Sequence, residues 1–484
     1  MRLHPIDIVI IVAYLAGITL FGLRFRKSQR SLRDYFLADR NIPWWAIALS
    51  IVAAETSTLT IISTPGIAYG GNFGFLQIVF GYLLGRVVIS LIFIPQYFRG
   101  DMFTAYELID RRFGAALHRL TAGVFLITRA AAEGVRVLAI SIVVGIALGI
   151  THDIWSIAIV IALTLIYTFE GGMAAVIWTD VIQMFIYVGG TIVGFVMLTH
   201  LVPGGWPFIH ASAAEAGKLQ VLNFSFNFFD KYTFWAGLIG GMFLTTASHG
   251  TDQLMVQRLL AARNQRDSKV ALLSSGIVIL AQFTLFLLVG AGLWVFYRMY
   301  PPTTPFTSPD RIFPTFIVDH MPQGISGLLI AAILAAAMSN LSAALNSLSS
   351  TSMMDFYLRM RPETPERKKL VLSRAATFVW GIVLFALAMA ARGKGAVLEL
   401  GLSIASVAYG GLLGVFLLGV LTKRAKQTGA IIGMLCGLAL NVYIWKWTKV
   451  PFTWYVTLGS ITTFVVGYLA SLMETDGNGP TNPS

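Results

Sequence analysis

Apolar runs of roughly twenty residues recur from end to end of the chain, separated by short polar segments. A helix rises about 1.5 Å per residue, so a run of that length crosses the ~30 Å hydrocarbon core of a bilayer. The pattern predicts thirteen spans, at roughly 6–23, 42–64, 73–96, 118–149, 153–168, 173–199, 232–257, 269–298, 322–357, 370–391, 396–420, 427–446 and 452–472. Two of them, 118–149 and 322–357, are too long to lie wholly in lipid and must tilt or extend past it. The expected fold class is an all-α polytopic membrane protein.

The span between Asn41 and Gly71 is interrupted at its centre by Glu55, Thr56, Ser57, Thr58 and Thr60. A carboxylate at that depth costs about 2.5–3.5 kcal/mol on insertion scales, so it must be paired, hydrated or used. Small and hydroxyl neighbours let the helix open there and turn bare carbonyls toward a cavity. Such an interrupted helix points to a transporter's binding site. A second interruption, Thr245 to Asp252, falls in the span at 232–257. With the first span and the last two set aside, ten remain and divide five and five. Each half opens on its interrupted member and has an overlong third. An odd number per half inverts the second half relative to the first, with the site near the midplane between the two breaks. The expected organisation is an N-terminal helix and loop (1–41), a first repeat (42–200), a loop (201–231), an inverted second repeat (232–420), two further helices (421–473) and a disordered polar tail (474–484).

Composition agrees: 56% of residues are hydrophobic and only 12% charged, where soluble proteins carry about 25%. The net charge of +12 is a matter of topology rather than nucleic-acid affinity. Of the 35 Lys and Arg, 23 fall in loops on one side, nine on the other, and three (Arg86, Arg129, Arg136) within spans. The positive-inside rule then sets the N-terminus outside and the C-terminus in the cytoplasm. A single cysteine, Cys436, excludes an intrachain disulfide framework and a cysteine-rich metal site. The first apolar segment has no basic lead and ends in Arg24, Arg26 and Lys27, as a retained anchor does.

Two clusters carry candidate chemistry. Arg129, Glu133 and Arg136 stand at i, i+4 and i+7, so they share one face, which must look inward. They either grip a substrate carboxylate through a guanidinium or close on themselves, with Glu55 or Asp180 as further partners. In the second half, Ser339, Ser342, Asn346 and Ser350 make a hydroxyl and amide stripe, and Ala336, Ser339 and Asn340 a small-residue patch. Such a patch lets helices approach closely, or lends neutral oxygens to an alkali ion. Ca²⁺ or Mg²⁺ sites usually add carboxylates.

Five stretches in order, IPWWAIALSIVAAETS, GGMAAVIWTDVIQ (171–183), DQLMVQRLLAAR (252–263), AAAMSNLSAALNS (335–347) and Gly419 to Gly433, resemble the sodium:solute symporters over about residues 6–470. The resemblance implies a leucine-transporter-like five-plus-five inverted repeat, no enzymatic activity, no cofactor, and sodium as coupling ion in a bacterial inner membrane. It implies a sodium site of the Ala53, Thr56 and Ala336 carbonyls with the side chains of Ser339 and Asn340, the last standing where the family usually has Ser or Thr. Asp180 and Ser342 match an accessory ion path. Ala343 lacks the hydroxyl that a second sodium would use, so one sodium is expected. Where sugar carriers have polar residues this chain has Thr60, Val79, Thr245 and Ile279, which disfavours a hexose. The expected partners are sodium, lipid and a small polar carboxylate- or amino-acid-like solute, with no nucleic acid and no obligate protein. Candidate solute contacts are Glu55, Ser57, Thr60, Arg129, Arg136, Ser248 and His249, the last also readable as a packing histidine. A proton-coupled carrier using Glu55 and a membrane solute sensor are the alternatives. No HExxH pair, GxSxG elbow or metal-spaced histidine cluster supports an intramembrane enzyme.

Overall fold

A computed structural model describes residues 3–24, 41–99, 105–167, 172–302 and 304–474. The basic loop at 25–40 and the tail beyond Glu474 lie outside the described residues. Those described are helical throughout, apart from loops and a lone parallel bridge between Ile42 and Ala262. The first predicted span is α1 (Pro5–Arg24) and the interrupted second is a pair, α2 (Trp44–Glu55) and α3 (Thr58–Gly70). Then come α4 (Leu76–Ile92), α5 (Ala115–Leu148), α6 (Asp153–Tyr167) and α7 (Gly172–Leu201). The second half opens on α8 (Gly241–Gly250) and α9 (Gln253–Leu260), followed by α10 (Gln265–Met299), α11 (Ile325–Thr351), α12 (Glu366–Ala391) and α13 (Val397–Leu421). Finally α14 (Gln427–Trp447) and α15 (Tyr455–Met473) pack on each other and on α13.

Counting each broken pair once, these helices make thirteen units; among the described residues nine helices, or ten with the α2/α3 pair taken as one, are long and apolar enough to cross a membrane. Their ends sort onto two faces. On the face where α1 begins, the Lys218 ammonium donates to the Tyr69 carbonyl (2.6 Å), and Asp153 pairs with both Arg311 and Arg392 (each 3.0 Å). On the opposite face the Arg112 guanidinium donates to the carbonyls of Thr422 and Lys423, and Ile42 bridges Ala262. We call these the N-terminal and C-terminal faces. The first half starts from the C-terminal face and the second from the N-terminal face, so the halves run in opposite directions.

The ten core helices form two groups. In one, α2/α3, α4, α8/α9 and α10 pack on one another; in the other, α5, α6, α11 and α12 do; α7 and α13 lie against both. Glycines bring α4 and α8 into backbone contact, since a Cβ on Gly81 would run into the Gly241 Cα and one on Gly241 into the Ile78 carbonyl. Without a hydrophobic drive between helices in lipid, such close packing is what holds them together. Helix lengths differ from the apolar pattern in two places. The overlong segment at 322–357 is α11 followed by a π-type turn, Ser352–Tyr357. At 35 residues α10 is longer than α5 (34) and α11 (27), because Asn264 caps it by accepting from the Asp267 amide (2.9 Å) before the apolar run begins.

The extra helix α1 rests on α11 and α7. Its buried Asp7 accepts, at one carboxylate oxygen, the Gly324 amide (2.6 Å), the Ser326 hydroxyl (2.9 Å) and the Gly327 amide (3.0 Å). A carboxylate there satisfies first-turn amides of α11 and complements its dipole.

Candidate functional site

The first break turns the chain by 64° between α2 and α3. In a continuous helix the Ser57 and Thr60 amides would bond to the Ala53 and Thr56 carbonyls. Here Ser57 donates to the Glu55 carbonyl (3.0 Å) and Thr60 to that of Ser57 (2.9 Å). The break thus redirects the amides that would otherwise occupy two of the sodium-site carbonyls expected from the sequence. The second break falls at Thr251 and Asp252, and the Asp252 carboxylate caps α9 by accepting from the Leu254 amide (2.9 Å).

Between the breaks lies a cavity of about 220 Å³, below the roughly 300–1,000 Å³ of drug-sized sites. Glu55, Ser57, Thr60, Arg129, Arg136, Ser248, His249 and Asn340 all line it, so every expected solute contact meets in one place. Thr245 lines it too, whereas Val79 and Ile279 are wholly buried and do not. Ala53, Thr56 and Ala336 are buried just outside the lining. Ser339 stands on α11, and its side chain lies outside the described ones. The wall is closed toward the N-terminal face by buried Phe75, Phe283 and Leu398, with Phe75 stacked on Phe283 (5.1 Å between centroids). Toward the C-terminal face it ends among partly exposed Val124, Phe125 and Met255.

Arg129, Glu133 and Arg136 close on one another, as one of the two sequence readings has it, but neither Glu55 nor Asp180 joins them. Glu55 takes neither Arg129 nor Arg136. It pairs with Arg86 of α4, and the His249 Nε2 stands 3.4 Å away, its Nδ1 2.9 Å from the Ser248 hydroxyl. Arg86 is fully buried and donates further to the Ser275 hydroxyl (3.1 Å) and the Tyr82 carbonyl (3.2 Å). Asp180 does not meet Ser342. It accepts from Arg258 (3.0 Å) and from the Ser50 hydroxyl (2.7 Å), while the buried Ser342 hydroxyl has no partner among the described residues. Arg129 (3.0 Å) and Arg136 converge on a single oxygen of buried Glu133. The other Glu133 oxygen and the Nε of both arginines have no partner among the described residues.

Arg86, Arg258 and Gln282 escaped assignment from sequence. Gln282 of α10 donates to the Thr56 hydroxyl at the first break (2.5 Å). Arg86 carried the clearest signal: a lone arginine deep in an apolar run needs a carboxylate, and Glu55 needed a cation.

The sequence profile of the Sodium:solute symporter family matches residues 35–437. The chain belongs to this family. It is 28% identical to a sodium/sialic acid symporter of Aliivibrio fischeri, over 97% of this chain and 93% of that one. Among solved structures, a substrate-bound outward-open Na⁺-coupled sialic acid symporter, also 28% identical, superimposes with a TM-score of 0.82 over 97% of this chain and 98% of that one. MHP1, a nucleobase-cation-symport-1 family transporter, shares the fold at 12% identity, with a TM-score of 0.54 over 90% and 93%. The symporter is thus an integral membrane transporter rather than an enzyme, with sodium as coupling ion and the leucine-transporter-like inverted repeat as its frame. The two helix groups and inverted halves agree with that frame.

Proposed function

We propose that this symporter carries a small organic acid bearing one negative charge into the cell with one sodium ion. The observation that carries the reading is the Arg129–Glu133–Arg136 cluster. Glu55 and Arg86 offset each other, as do Asp180 and Arg258, but two arginines share one oxygen of Glu133. That cluster leaves guanidinium N–H groups unused on the cavity wall, and although Asp252 across the lining balances the charge, a carboxylate is the natural complement of those N–H groups. The sialic acid of the related symporters is itself a carboxylate-bearing solute. A neutral hexose offers those N–H groups no charged partner.

Sodium is assigned to the Ala53, Thr56 and Ala336 carbonyls with the Ser339 and Asn340 side chains. The redirected amides at the first break support the first two ligands. A second ion at Asp180 is disfavoured, since Arg258 and Ser50 occupy that carboxylate and Ala343 offers no hydroxyl. Sodium steadies the first break, the solute binds between the two breaks, and the α2–α4, α8–α10 group rocks against the α5, α6, α11, α12 group. The N-terminal face is external and the C-terminal face cytoplasmic, in a bacterial inner membrane. Inward sodium movement then supplies about 2.3 kcal/mol per 100 mV. The pairing of Glu55 with Arg86 weighs against Glu55 as a proton carrier.

The test is uptake into proteoliposomes of N-acetylneuraminate, a short monocarboxylate and a neutral hexose, under a sodium gradient and then a proton gradient. Accumulation of an acid with sodium alone supports the reading. Accumulation of the hexose removes the role of the arginines, and uptake on the proton gradient alone reinstates Glu55. Binding without accumulation points to a sensor.

A further inference from the structure

The first turn of α13 is capped by other segments. Its N-cap residue, Ala396, supplies no side-chain cap. The Val397 amide instead donates to the carboxylate of Asp310 (3.1 Å), and the Leu398 amide to the hydroxyl of Ser63 on α3 (3.2 Å). Ser63 in turn donates to Asp310 (2.5 Å), whose other oxygen also accepts from the Ser308 hydroxyl (2.9 Å). Ser63 and Asp310 are both wholly buried. One turn along α3, Gly66 presses on the same segment, since a Cβ there would stand 2.5 Å from the Pro309 carbonyl oxygen. The next residue of α13, Glu399, accepts from Lys231 (2.7 and 2.8 Å) and from the Tyr232 hydroxyl, just ahead of α8. Thus α3 and the approach to α8, from the moving group, and the 308–310 turn all meet at the first turn of α13. That turn stands over the cavity, whose wall includes Leu398 and Leu402.

We infer that Ser63 and Asp310 form a latch that holds the N-terminal face shut, and that it must part each time this face opens. The inference rests on the alternating-access reading. The geometry explains why the bonds are shared rather than local. A side-chain cap within α13 would satisfy the same amides whether or not α3 was near. The Leu398 amide, capped by Ser63, is satisfied only when α3 is docked, and Asp310 ties that hydroxyl to the cap of Val397. An amide left unpaired in a buried setting is costly, so the first turn of α13 senses the position of α3. The carboxylate's donors here are two hydroxyls and an amide. The charged groups around it are Glu399 with its partner Lys231 on one side, and Arg311, engaged with Asp153, on the other.

The experiment uses the full chain with Cys436→Ser and a reporter cysteine at Leu402→Cys, reconstituted in vesicles. An N-terminal epitope identifies the face exposed to a membrane-impermeant maleimide. Ser63→Ala and Asp310→Ala, which remove the shared donor and acceptor atoms, are each expected to raise the labelling rate from the N-terminal face by about tenfold or more, the equivalent of one hydrogen bond to a charged group. Labelling from the C-terminal face should fall or stay level. Equal rates from the N-terminal face in parent and variants overturn the latch. A second variant guards against substitutions that prevent folding: Ser63→Cys with Asp310→Cys, crosslinked by mild oxidation and released by reductant. Crosslinking should abolish N-terminal-face labelling and uptake, and reduction should restore both. Labelling that persists in the crosslinked protein also overturns the latch. If labelling responds as expected in a protein that shows no coupled uptake, the latch stands and the transport reading falls.

Discussion

Replacing Arg86 by Met tests the electrostatics of the first break most directly. Arg86 is fully buried and uses three nitrogens: one on Glu55, one on the Ser275 hydroxyl, one on the Tyr82 carbonyl. Met keeps much of the stem but removes the charge. Glu55, with its side chain only 11% exposed, then faces the cavity with His249 as its remaining neighbour. Breaking one partner of a buried pair costs about 3–5 kcal/mol, because the other is left uncompensated. The lower end applies here, since groups in a partly unfolded membrane protein also find partners. Glu55→Gln leaves Arg86 short of a counter-charge and should destabilise by a similar amount. The double variant removes both charges and should recover about 2 kcal/mol or more relative to the sum of the singles. The assay is a double-mutant cycle on purified protein, unfolded by denaturant and followed by tryptophan emission, with sodium half-saturation measured alongside. Single variants that add to within about 0.5 kcal/mol would refute the pairing.

Four further outcomes are expected. Arg136→Gln should raise the solute KM about tenfold or more while the protein still folds, because a charge-assisted bond to the carboxylate is lost; loss of folding instead would make the cluster structural. Ser339→Ala should raise the sodium half-saturation without moving the thermal midpoint measured in potassium, and an unchanged sodium dependence would mean the ion site is elsewhere. Asn340→Ser, which restores a hydroxyl, should shift sodium affinity and leave the KM for solute at saturating sodium unaltered. Burial raises the pKa of Asp310 above its ordinary value, with Glu399 adding to the rise. If opening returns it to water, the shut form binds the extra proton, so lowering pH through the window above the ordinary carboxylate value should favour closure. N-terminal-face labelling of Leu402→Cys should then slow on acidification, and Asp310→Asn should flatten that dependence.

The breaks were legible because cost and position coincide: hydroxyl residues and a carboxylate in the middle of an apolar span leave few other readings. The inverted halves followed from counting, and Thr251 and Asp252 part the second broken helix inside the stretch that its polar residues marked. The partners of the charges were not legible. Glu55 and Arg86 lie 31 positions apart, Asp180 and Arg258 lie 78 apart, and helical periodicity says nothing about which spans touch. The i, i+4, i+7 spacing of Arg129, Glu133 and Arg136 was readable because its contacts are local. The cap on α13 left no signal at all, since Ser63 and Asp310 look ordinary in their own segments.

The anchoring of α1 has a practical corollary. Because Asp7 grips the start of α11, the amino terminus travels with the α5, α6, α11, α12 frame rather than with the rocking group. A fluorophore or spin label fused just ahead of Leu3 is therefore a fixed reference. Paired with a second label at the end of α3 or the start of α4, it becomes a ruler whose length changes report the excursion of the moving helices, turnover by turnover, with no change to the cavity.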